Sequence, residues 1–314
     1  MKKVVFTLLL LVILIPMQAQ TSQEIYQFLR LPVSAHAAAL GGDNITLIED
    51  DAPLMFNNPA LLGSVSDKTL NLNYMNYMSG VNYGSASFTR VIREATTIAA
   101  GVQFINYGRM RQTDENGVQI GEFSANEIAF SGVFSYELSE CFIGGITAKL
   151  ITSYFGSYNS LAMGVDLGVN YYDPDRQISV SAVAKNLCGQ LKAYNDNYEK
   201  MPLDLQFGIS KRFERMPLRF SATFVDLNHW HYAFVNHVTA GVDVLLSDRI
   251  YVAAGYNFRR AREMKIAVSD GSSSHGAGLS LGAGLQLERF KLHLAYGKYH
   301  VSSSSLIMNV SYSL

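Results

Sequence analysis

Large apolar residues recur at every second position over most of the chain beyond residue 70. Residues 161–172 read LAMGVDLGVNYY. Leu161, Met163, Val165, Leu167, Val169 and Tyr171 fall on one face, and Ala162, Gly164, Asp166, Gly168, Asn170 and Tyr172 on the other. That is the period of a β-strand, whose successive side chains point to opposite faces. Residues 203–210 repeat it, with Leu203, Leu205, Phe207 and Ile209 against Asp204, Gln206, Gly208 and Ser210, and residues 279–288 and 306–314 follow suit. About fourteen strands are expected, near 70–77, 81–90, 96–107, 123–136, 142–154, 161–172, 178–186, 203–212, 218–227, 238–245, 250–257, 277–288, 291–299 and 306–312. Their polar face carries Gly, Ser, Asn, Gln and isolated charges. A water-facing sheet would carry Lys and Glu freely, so this face suits the crowded interior of a barrel.

The connections alternate in length. The second, fourth, sixth, eighth, tenth and twelfth are short, around Arg93-Glu94, Ser139-Glu140, Pro174-Asp175, Arg215-Met216, Ser247-Asp248 and Arg289-Phe290. The longer ones, 108–122, 187–202, 228–237 and 258–276, all fall between them; the first and fifth are short exceptions. Short periplasmic turns alternating with longer extracellular loops characterise outer-membrane barrels. The parity puts both termini of the barrel, and the entry of the segment before it, on the periplasmic side.

The first residues change the compartment. Lys2-Lys3, the apolar run 4–15 and Met17-Gln18-Ala19 read as an export signal covering 1–19, and the run is short of the ~20 residues a membrane helix needs. Hydrophobic residues make up 48% of the 314 but charged residues only 16%, against about 25% in an average soluble domain. An exported chain this apolar, without helical spans, can cross a bilayer as a closed barrel, which leaves no strand edge unpaired. A net charge of −1 gives nucleic acid no electrostatic footprint. The expected division is a signal at 1–19, an N-terminal hatch at 20–66 and an all-β transmembrane antiparallel barrel at 67–314, with the hatch in the lumen.

The hatch reading rests on residues 31–63, LPVSAHAAALGGDNITLIEDDAPLMFNNPALLG, which are small, apolar and without clean period. Gly41-Gly42, Asp50-Asp51 with Pro53, and Asn57-Asn58-Pro59-Ala60 mark successive turns. FLRLPVSAHAAALGG at 28–42, followed by NNPALL at 57–62, resembles the start of the PorV/PorQ family of Bacteroidetes outer-membrane proteins, which are similar in fold to the FadL transport barrels. His36 stands where that family is expected to carry a longer basic residue. The resemblance implies a non-enzymatic role in type IX secretion: anchoring the attachment complex of PorU, PorV and a surface protein similar to PorZ. That complex removes the C-terminal signal of cargo and links it to lipopolysaccharide. The alternative from a different class is a FadL-like channel for hydrophobic small molecules, with a lateral gap where the Gly-rich stretch 278–284 bends.

Candidate chemistry is sparse. No P-loop, G-x-S-x-G, HExxH or zinc-ligand spacing occurs, and no enzyme, cofactor or metal centre is expected. Asp50 and Asp51 read as acceptors for backbone N–H groups of a hatch turn rather than an acid–base pair, and Asn57 and Asn58 likewise. His229, His231 and His237 flank Trp230 in one loop, which reads as an interfacial loop before a metal site. Cys141 and Cys188 fall at opposite barrel ends, too far apart to bond, and read as separate buried thiols. Asp166, Asp204, Asp243 and Glu288 are expected in the lumen with Lys149, Lys185, Arg219 and Lys291, paired with each other and with the hatch. The long loops offer the candidate partner surface: Tyr194 and Tyr198, Trp230 and Tyr232, and Arg259, Arg260 and Arg262, residue types enriched at the energetic centres of interfaces.

Overall fold

Fourteen antiparallel strands, each hydrogen-bonded to its two neighbours, close into one barrel. The computed structural model describes residues 24–78, 80–264, 266–268, 271–273, 276–299 and 303–314; the expected export signal lies outside them. In chain order the strands are β1 Thr69–Asn76, β2 Asn82–Arg93, β3 Thr96–Thr113, β4 Gln119–Ser139, β5 Phe142–Phe155, β6 Tyr158–Asp173, β7 Ile178–Lys192, β8 Asp204–Arg212, β9 Leu218–Phe224, β10 Val238–Leu245 and β11 Ile250–Asn257. A small hairpin, β12 Ile266–Val268 and β13 Gly271–Ser273, interrupts the series before β14 Leu279–Gln286, β15 Phe290–Gly297 and β16 Ser305–Ser313. β1 pairs with β16, Thr69 opposite Ser313 and Asn76 opposite Leu306, and this seam removes the last free edge.

The period-2 pattern sorts as expected. Leu70, Leu72, Phe130, Phe134, Met163, Leu167, Phe207 and Ile209 are exposed on the outer face, while Asn71, Ser131, Asp166, Asn170, Gln206 and Ser210 are buried inside. Exposed aromatic residues gather at both rims: Tyr74, Tyr154 and Tyr296 near the long-loop ends of their strands, Tyr136, Phe142, Phe290 and Tyr312 near the short-turn ends. An apolar band between two aromatic girdles is the outer surface of a transmembrane barrel. Among the described residues no helix is long and apolar enough to span a membrane.

Several boundaries depart from expectation. The anticipated 108–122 loop is mostly strand: β3 and β4 continue to a five-residue turn at 114–118, where the Asp114 carboxylate accepts from Asn116 N (3.0 Å) and Val118 N (2.8 Å). Beyond the barrel both faces of this hairpin meet water, so the alternation that marks a strand fades there. β7 likewise runs on to Lys192, past a bulge at which Asn186 and Cys188 have positive φ (58° and 93°). The two cysteines are free, as expected, but not buried: Cys141 is half-buried in the β4–β5 turn and Cys188 is exposed on β7. Glu288 does not face the lumen. β14 ends at Gln286, and Glu288 is exposed in the following turn. β14 is paired along both edges, with β11 and β15, so no lateral gap opens at 278–284.

The core is the contact between the barrel wall and the segment before it. Phe28, Leu40, Leu47, Leu54, Met55 and Leu62 are buried against Met75, Tyr83, Ile105 and Ile151 of the wall. The segment folds as short pieces: 3-10 turns at Gln27–Arg30, Ala52–Phe56 and Pro59–Ser64, and an α-helix at Ala35–Ala39. Ser34 caps that helix, its Oγ accepting from Ala37 N at 3.2 Å. The helix packs against β11, β14, β15 and β16, and the Pro59–Ser64 turn against β3, β4, β5 and β6 on the other side of the ring. One expectation fails here. Glu24 bridges to Lys200 and Ile25 N donates to Lys200 O at 3.0 Å, so the first described residues sit at the long-loop end. Strand parity sets the ends of the strands but not the path of the segment before β1. That segment starts at the long-loop mouth and threads the whole lumen to reach Thr69.

Candidate functional site: the hatch and the mouth

The hatch is seated by small residues on both partners. Gly41 and Gly42 end the Ala35–Ala39 helix with φ of 105° and 111°, and their amides donate to Ala38 O (3.1 Å) and Ala37 O (2.9 Å). This is the left-handed exit that only glycine adopts without strain. On the wall, a Cβ added at Gly168 would strike Asn58, one at Gly145 would strike Pro59, and one at Gly255 would strike Leu40. The small lumen face of the strands is therefore the imprint of the hatch.

The turn residues satisfy backbone groups, much as expected. Asn58 Oδ1 accepts from Ala60 N at 3.0 Å and its Nδ2 donates to Ile45 O at 3.1 Å; Asn57 Nδ2 donates to Gly42 O at 3.4 Å. Asn58, preceding Pro59, is extended (φ −148°, ψ 115°). The Asp50 carboxylate accepts from Ser66 N at 2.8 Å and pairs with Lys291 of β15. Hydrogen bonds to Ser66, together with Lys291, hold this carboxyl below its ordinary range against the opposing effect of burial, the largest single influence. Asp51 differs from expectation: it accepts from the Ser34 hydroxyl at 2.8 Å, a side-chain donor, and so ties two hatch turns together.

Four charges from two hatch positions and two strands, three of them buried and Glu49 half-buried, form a tight cluster. His36 Nδ1 lies 2.8 Å from Glu49 Oε2 and its Nε2 lies 2.7 Å from Asp243 Oδ1. Arg219 reaches the same two carboxylates, Glu49 at 2.7 Å and Asp243 at 2.8 Å, and Tyr251 stacks on the imidazole with ring centroids 3.7 Å apart. Burial by itself would lower the His36 pKa; Glu49 and Asp243 more than offset it and raise it to about 9. Glu49 is held well below the usual carboxylate range, because Arg219 and His36 outweigh the opposing effect of burial. Two cations and two anions cancel, which makes so buried a cluster tolerable. Lys149 pairs with Asp166 at 2.6 Å farther along the wall.

A second cluster closes the mouth. Asp226 receives Arg30 of the hatch at 2.8 Å and also pairs with Arg259, and Arg30 reaches Glu24 at 3.1 Å and Asp204 at 3.8 Å. Arg259 and Arg260 belong to a helical turn, Phe258–Glu263, started by Asn257, whose Oδ1 accepts from Arg260 N at 2.9 Å. The turn aims both guanidiniums inward: Arg260 Nη2 donates to Gly41 O at 2.9 Å and its guanidinium lies 3.9 Å from the centre of the Tyr299 ring. Between these groups lies a charged cavity of about 270 Å³, lined also by Asp43, Lys185 and Asn57.

The candidate loop residues thus separate. Trp230 and Tyr198 are exposed (86% and 66%), as are Phe234 and Val235 beside Trp230. Arg262 donates to Asn236 Oδ1 at 3.3 Å on the outer side, and Tyr232 lies 5.6 Å from the Arg259 guanidinium. Tyr194 is half-buried, its hydroxyl donating to Ser153 Oγ at 2.5 Å. The three histidines diverge: His237 is buried against Val225 O at 2.7 Å, His229 leans toward Asp226 and Glu24, and His231 is exposed.

No protein-family model and no curated protein matches the chain. Solved structures similar to it include the Pseudomonas putida toluene transporter TodX (TM-score 0.58, 14% identity, 90% of this chain against 98% of that one). The Ralstonia pickettii toluene transporter TbuX matches with TM-score 0.60 and 12% identity over 91% of this chain and all of its own (100%). A Pseudomonas aeruginosa FadL homologue matches with TM-score 0.55 and 11% identity over 90% of this chain and 99% of its own. At such identities the likeness is one of fold. The chain has the architecture of FadL-like outer-membrane barrels.

Proposed function

We propose that this barrel is a non-enzymatic outer-membrane anchor for a surface protein complex, the role implied by the PorV/PorQ resemblance of residues 28–62. The partners in this reading are a soluble surface protein similar to PorZ, with PorU and PorV, acting on cargo destined for lipopolysaccharide. The observation that carries it is the filled lumen. The hatch is locked to the wall by ion pairs at two levels, and the cavity in the mouth is lined by charge. A barrel so closed offers its outer loops rather than a pore. Trp230, Phe234, Val235 and Tyr198 are exposed there, and aromatic residues of this kind form interface centres. Shortening the loops at 195–198 and 229–235 in turn, with heat-modifiable migration to confirm folding, tests this. Loss of the surface protein and of cargo retention is expected; full retention by both folded variants overturns the anchor reading.

A second reading has its own support. Two similar structures are described as toluene transporters, and an aromatic-lined pocket opens beside the hatch. On that reading the barrel takes up small apolar molecules, and the hatch must first release its ion pairs. Toluene entry into cells with and without the barrel separates the two: entry that depends on the barrel, with the surface protein retained regardless, selects the channel.

A further inference from the structure

The aromatic pocket lies at the long-loop end, adjoining the mouth cavity at Gln27, and measures about 500 Å³. Tyr26, Tyr107, Phe155, Tyr158 and Tyr194 supply five rings to it, and Glu127 and Glu199 supply two carboxylates. No Lys, Arg or His is among its described lining residues. We propose that this pocket binds an organic ammonium ion.

The argument is one of complementarity. The rings stand at defined angles: Tyr107 and Phe155 have centroids 5.8 Å apart and tilted, and Phe155 meets Tyr194 edge-on at 5.8 Å. Aromatic faces are negative and attract cations, most strongly where water is excluded. The Tyr194 hydroxyl is taken up by Ser153 and the Tyr26 hydroxyl by Ser160, each at 2.5 Å, so these residues present ring carbon. That suits an alkylated ammonium, which has little to offer a hydroxyl. Glu127 is buried at 3% exposure, and Tyr107 donates to its Oε2 at 2.6 Å, which fixes the carboxylate without supplying a charge to balance it. A hydrocarbon would cover Glu127 without compensating it, and an anion would be repelled. The inference does not rest on the anchor reading; on the transport reading the same pocket would favour a cationic over a neutral ligand.

The test uses the purified barrel in maltoside detergent, with choline as probe and dimethylbutanol as its uncharged isostere. Choline is expected to bind at least about tenfold more tightly than dimethylbutanol by calorimetry. Glu127→Gln, with heat-modifiable migration intact, is expected to bring the two within about twofold. Tyr158→Leu, at a largely exposed ring where folding is not at stake, is expected to weaken choline and not dimethylbutanol; it decides the matter if Glu127→Gln does not fold. Absent choline binding, equal affinity for the two probes, or an unchanged preference in the folded variants overturns the proposal.

Discussion

His36 Nε2 lies 2.7 Å from Asp243 Oδ1, and neither side chain has any exposed surface. One residue belongs to the hatch and the other to the wall, so this contact decides whether the lumen stays filled. Removing one member of a buried pair leaves the other charge unbalanced, at a cost of about 3–5 kcal/mol. In Asp243→Asn, therefore, the hatch is expected to loosen while the outer barrel survives. Limited proteolysis of the detergent-solubilised protein reads this directly: new cleavage within residues 43–51 with unchanged heat-modifiable migration. Protection equal to wild type would show that the glycine-lined fit alone holds the hatch.

The same cluster gives a pH dependence. His36 titrates near 9 when the hatch is seated and near 6.5 when it is free. Its contribution is thus fully present below about pH 6.5 and is lost as pH rises through about 9, a difference on the order of 3 kcal/mol. Glu49, whose folded pKa is depressed, works in the opposite direction: its contribution is present above the ordinary carboxylate range and lost in acid. Hatch protection is expected to be greatest in mildly acidic solution and to fall between pH 7 and 10. A spin label at position 47 would report it as increased mobility. His36→Gln is expected to flatten the alkaline limb; a limb unchanged in that variant would assign it elsewhere.

The lumen glycines make a sharper steric prediction. At Gly168 and Gly145 a Cβ would meet Asn58 and Pro59, whereas at Gly132, on the outward face of β4, it would meet nothing within 4 Å. Gly168→Ala and Gly145→Ala are expected to cost about 1–3 kcal/mol each through overpacking, read as faster proteolysis around residues 57–62. Gly132→Ala serves as the matched control and is expected to match wild type. Equal behaviour of all three variants would mean that the hatch shifts freely in the lumen.

What could be read from the chain alone follows the range of each signal. The alternation in 161–172 and the parity of the turns are local, and they place fourteen strands, although β3, β4 and β7 run on beyond the expected ends. The hatch was legible because Ala35, Ala37–Ala39, Gly41 and Gly42 are small, turn-broken and without the alternation of a strand, and the lumen glycines record the same crowding. The His36–Glu49–Arg219–Asp243 cluster was not legible as a unit. Its members lie on a hatch helix, a hatch turn and two strands, with no spacing to connect His36 to Asp243. Arg259 and Arg260 depart from the expected partner surface for a related reason: the short helical turn that directs them inward begins at a cap, Asn257, that also ends β11. The threading of the lumen by residues 24–66 depends on contacts such as Ile25 with Lys200, which no periodicity encodes.

The mouth cluster separates the two ends of the hatch. Asp226 is 1% exposed and holds Arg30 from the hatch and Arg259 from the Phe258–Glu263 turn. Asp226→Asn keeps the shape but removes the charge that balances both arginines, so the first described residues of the hatch are expected to lift from the mouth. Arg30 is then a trypsin site at the long-loop end. If that end faces outward, as the turn parity requires, trypsin added to intact cells is expected to cut after Arg30 in Asp226→Asn and to spare wild type, where Arg30 is largely covered. Asp243→Asn, which loosens the hatch deeper in the lumen, is expected not to expose this site on intact cells, because the mouth pairs remain. The comparison also tests orientation. Cleavage after Arg30 seen only in spheroplasts with a permeable periplasm, and never on intact cells, would invert the barrel and with it the assignment of Trp230 and its neighbours to the cell surface.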